Sequence, residues 1–74
     1  MTQVTLNELT FSKKARKKII EHLPTARKHR KSHIAGYGYV YFIYNELGER
    51  IGQAFKDFQK KSFVLNILPP QKIN

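Results

Sequence analysis

From Tyr39 to Tyr44 the chain reads Tyr-Val-Tyr-Phe-Ile-Tyr, its longest strongly apolar run. That length falls far short of the roughly 18 residues a membrane span requires, so the run must find cover inside a folded domain. β-branched and aromatic residues dominate it, with Gly36 and Gly38 just before, which is the composition of a strand. Asn45-Glu46-Leu47-Gly48 then reads as a four-residue hairpin loop with Gly48 in the left-handed position. Closed in that way, the hairpin pairs Tyr44 with Glu49, Phe42 with Ile51, Val40 with Gln53 and Gly38 with Phe55. Val40, Phe42, Ile51 and Phe55 become the inner face. Tyr37, Tyr39 and Tyr41 lie together on the outer face, flanked by Arg50 and Lys56. A helical stripe through Ile51, Ala54, Phe55, Phe58, Ser62 and Leu65 competes with this hairpin over residues 49–60, but Gly48 and Gly52 favour the hairpin.

Upstream, Phe11, Ala15, Ile19 and Leu23 recur every four residues, the spacing of one buried helical face. Ser12 or Thr10 can cap its start, and Pro24 biases Leu23 out of helical geometry, so the helix should stop near His22. Residues 24–35 hold too few apolar side chains to fasten themselves to a core, and read as a basic arm or a second short helix. After a turn near 57–61, residues 62–68 read as a last strand, ended by Pro69-Pro70, with 69–74 a loose tail. The expectation is one α+β domain over 1–74, an N-terminal basic helix on a three-stranded antiparallel sheet.

Charge narrows the partner. Fourteen Lys and Arg against five Asp and Glu give a net charge of +9. Nine of those cations (Lys13, Lys14, Arg16, Lys17, Lys18, Arg27, Lys28, Arg30, Lys31) lie in residues 13–33 against the single acid Glu21. Charge placed for solubility alone would be spread evenly, so this block reads as a surface for nucleic acid, DNA or RNA. The candidate contacts are these nine cations for phosphates, with Tyr37, Tyr39 and Tyr41 for base stacking and Arg50 and Lys56 at the edges of the tyrosine row. Packing of the tyrosines against the helix is the plainer reading of that row.

An alternative partner is an acidic protein, engaged by the basic face or a sheet edge, in the manner of small inhibitors or adaptors from mobile genetic elements. The apolar last strand, read as an exposed edge, also suggests a homodimer. The absence of cysteine removes disulfides and thiolate metal sites. His22, His29 and His33 have metal-like spacing only on an unbroken helix, so they read as extensions of the basic surface. No cofactor or catalytic motif is expected. Residues 1–9 have neither a basic start nor a long apolar stretch, which suggests a cytoplasmic protein without membrane attachment.

Phe11-Ser12-Lys13-Lys14-Ala15 on the helix, followed by Gly38-Tyr39-Val40-Tyr41 on the strand, is similar to small ribosome-dependent mRNA-cleaving toxins. The likeness is confined to those two segments, and the later strands depart from that pattern. It implies a third alternative, a metal-independent RNase using His, Lys, Arg and Tyr side chains as acid and base.

Overall fold

A computed structural model describes residues 2–36 and 38–71. The elements are β1 (Thr2–Thr5), α1 (Lys13–His22), β2 (Ala26–Ile34), β3 (Gly38–Asn45), β4 (Arg50–Asp57) and β5 (Ser62–Gln71). The architecture is α+β, but the antiparallel sheet has five strands rather than three, in the order β1-β5-β4-β3-β2. The two strands missed in the sequence reading are the two edges. Neither carries an apolar pattern: β2 buries only Ala26 in the core and β1 packs only Val4 against it, so pairing with β3 and β5 holds them in place.

The helix forms where the apolar period placed it. The Ser12 hydroxyl accepts from the Ala15 amide at 3.3 Å. Its end is also as expected, with the Leu23 amide donating to the Ile19 carbonyl at 2.7 Å. The helix carries the chain from the β1 edge across one face of the sheet to the β2 edge. The segment read as an arm or second helix is β2, paired with β3 from Ala26↔Asn45 to Ile34↔Gly38.

The hairpin is real, but its register differs from the expected one. The Asn45 amide donates to the Glu49 carbonyl, so the loop is the three residues Glu46-Leu47-Gly48, with Gly48 left-handed at φ 81°. A bulge at Ile51 adds a second offset, and Val40 faces Phe55 instead of Gln53. The two offsets sum to a slip of two, which leaves the same side chains sharing a face. The expected inner face is displaced because α1 covers the side of Tyr41, Ile43 and Ala54, while Ile51, at the bulge, stays in the core. Ile43 and Ala54 join Leu6, Ile19, Leu23, Ile51, Phe63 and Leu65 in the core under the helix, with Phe11 and Tyr41 packed against it. Phe42 and Phe55 project from the opposite face, where Val64 and Val40 flank Phe55 in one cross-strand row.

β5 is an interior strand between β1 and β4, so the edge expected to support a homodimer is already occupied. β5 also runs past Pro69-Pro70 to Gln71. No ladder pair involves either proline, and the described part of β1 begins opposite Ile67, so the prolines remove no bond to a neighbouring strand.

Candidate nucleic-acid interface

Strand alternation divides the basic block. Along β2, His29, Lys31 and His33 pair with Ile43, Tyr41 and Tyr39 on the helix side of the sheet, whereas Lys28 and Arg30 pair with Tyr44 and Phe42 on the other. The nine cations therefore do not form one continuous surface. Because β2 is an edge strand, its two rows meet along the rim.

On the helix side the aromatic rings have different duties. Tyr41 is stacked on Phe11, with ring centroids 3.8 Å apart and planes 4° from parallel, so one of its faces is already covered. His29 leans on the same Phe11 at 5.3 Å. Tyr39 is 52% exposed. The Lys31 ammonium lies 4.1 Å from its ring centroid, and His33 meets the ring edge-on at 5.3 Å. Tyr37 lies outside the described residues.

Phe11 separates two recesses. The smaller, about 90 Å³, runs between α1 and β2 and is lined by Arg16, Ile20, Arg27 and His29 among others. Lys28 also lines it, because it follows the bulge in β2 and reaches this recess although its ladder partner Tyr44 is on the other face. The larger, about 330 Å³, is lined by Leu9, Phe11, Tyr39, Lys56, Phe58 and Phe63, with further atoms from Thr10, Gly38 and Tyr41. No acidic side chain lines either recess among the described residues. Phe58 was not read as a site residue from the sequence, and His29 only as an extension of the basic surface. Once 26–34 is known to be a strand, simple alternation groups His29, Lys31 and His33.

The helix cations also separate. Lys18 is held inward, its Nζ donating to the Leu6 carbonyl at 2.7 Å and the Glu8 carboxylate at 2.9 Å. That hydrogen bond, with the charges of Lys18 and Lys14, holds the Glu8 carboxyl below its usual range against the opposing effect of desolvation. Lys18 thus ties the 6–8 segment to α1, and Lys14 sits on the same flank, away from β2. Arg16 faces β2, and Lys13 and Lys17 are exposed. Arg27 spends Nη1 on the carbonyls of Pro24 and Ala26, which fixes its guanidinium beside the smaller recess. Arg50 lies on the opposite face, its guanidinium 4.0 Å from the Phe42 ring, and is remote from the tyrosine row. Lys56 pairs with Phe63 on the helix side.

Among the described residues no group of three or more His, Cys, Asp or Glu could hold a metal ion, and no helix is long and apolar enough to cross a membrane. No protein-family model, curated protein or solved structure matches this chain.

Proposed function

We propose that the protein binds nucleic acid on the helix side of its sheet, along the path from Arg16 and Arg27, past His29 and Phe11, to Lys31, Tyr39 and Lys56. The observation that carries this reading is the run of cations and aromatic rings beside two recesses that, among the described residues, no carboxylate lines. Cations of that kind follow a phosphate backbone, and phosphate contacts supply affinity and register with little sequence information. His29 and His33 are four positions apart on β2, about 13 Å at strand rise, too far to act together on one phosphate. That spacing favours binding over two-histidine cleavage.

A salt titration of oligonucleotide affinity by fluorescence anisotropy tests the proposal. If Arg16, Arg27, Lys31 and Lys56 each neutralise a phosphate, log K against log salt should slope about −3 for a single strand. Absence of salt-dependent binding contradicts the reading. In that case an acidic protein strand added to the outer edge of β2 becomes the better account, since among the described residues that nine-residue edge has no partner on its outer side.

A further inference from the structure

The larger recess concentrates features that phosphate binding does not use. Leu9 and Phe58 are each 66% exposed and Tyr39 52%, and all three line it. Large apolar side chains left in solvent together mark a binding surface rather than ordinary scatter. Its volume of about 330 Å³ is at the low end for a small-ligand site, a size suited to one planar group. Its charge is one-signed, with Lys56 in the lining and Lys31 over the Tyr39 ring. Phe11 and Phe63 form the buried wall behind it.

From this we infer that the recess receives an unpaired nucleobase, stacked on Tyr39 and Phe58, with the adjoining phosphate on Lys31 or Lys56. The inference rests on the nucleic-acid reading above and narrows it to single-stranded substrates. Aromatic side chains stack on bases whose faces are free, with little regard to base identity. A duplex keeps those faces against its own neighbours and can offer only its backbone to the same surface. An apolar peptide would fill the recess equally well by shape, but would leave the two lysines without a counter-charge.

The test uses the whole chain, a short oligonucleotide carrying one 2-aminopurine, the same oligonucleotide made abasic at that position, and the matching duplex. The expected result is tighter binding of the single strand than of the duplex, with quenching of 2-aminopurine on binding. Tyr39→Ala and Phe58→Ala should each weaken single-strand binding roughly 5- to 140-fold and leave duplex affinity and the salt slope unchanged. Tyr39→Phe should retain the parent's affinity, and the abasic strand should bind as weakly as the alanine variants. Both side chains are exposed, and melting temperatures check that each variant folds. Equal binding of both strand forms, or losses shared equally by single strand and duplex, overturns the base recess while leaving phosphate binding intact. Failure of the parent to bind either form with salt dependence overturns both readings.

Discussion

Gly52 marks the closest approach between the sheet and the end of the helix. A Cβ built there would lie 2.9 Å from the Asn66 carbonyl oxygen and 2.9 Å from Leu23 Cδ1. The leucine methyl can move, but the carbonyl belongs to the ladder and cannot move without disturbing it. Gly52→Ala should therefore destabilise the fold by about 1–3 kcal/mol, the usual cost of overpacking. For a domain of this size each kcal/mol lowers the melting temperature by about 4–8 °C, so thermal denaturation resolves the effect. In the sequence Gly52 appeared only as support for a hairpin, because its second neighbour, Leu23, is distant along the chain. The same limit hid Lys18, which looked like one more surface cation until the fold brought it against Leu6 and Glu8. Arg16, Lys31, Tyr39 and Lys56 were legible as candidates because charge and aromaticity can be read without contacts. Tyr41 was legible in its plainer role, since it packs against Phe11.

The strands β2 and β3 show how far pattern reaches at the scale of the element. Helix α1 was readable because its apolar period, its cap and its proline stop agree with one another. The β3–β4 hairpin was readable as an element but not in its register, because the loop length and the bulge at Ile51 leave no mark in composition. Nor was the face that the helix covers readable, because both faces of β3 carry large apolar side chains. β2 was unreadable as a strand because pairing with β3, not an apolar face, holds it in place. The face that the helix covers has a measurable consequence. Ile43 is 2% exposed beneath the helix, whereas Phe42 is half-buried on the other face against Arg50. Ile43→Ala should cost about 2–5 kcal/mol, comparable with the whole stability of so small a domain. Phe42→Ala should cost about half of the 3–5 kcal/mol that a fully buried phenylalanine commands. Urea denaturation of the pair checks the assignment, and a larger loss for Phe42→Ala would restore the opposite face to the core.

As a whole molecule, the protein is a sheet with a helix on one side only, and its 5327 Å² of accessible surface exceeds the roughly 4,700 Å² expected for its mass. The excess net charge of +9 falls on both faces and along the β2 rim, so total charge alone does not say which face binds. Comparing two variants of equal charge decides that. Arg16→Gln with Lys31→Gln removes two cations from the helix-side path. Lys14→Gln with Arg30→Gln removes two from elsewhere, one on the far flank of α1 and one on the opposite sheet face. Single-strand affinity measured across a salt series should show the first pair flattening the log–log slope by about 1.4, the contribution of two phosphates. The second pair should leave the slope within a few tenths of the parent's. Equal flattening by the two pairs, or greater flattening by the second, would contradict binding on the helix side of the sheet.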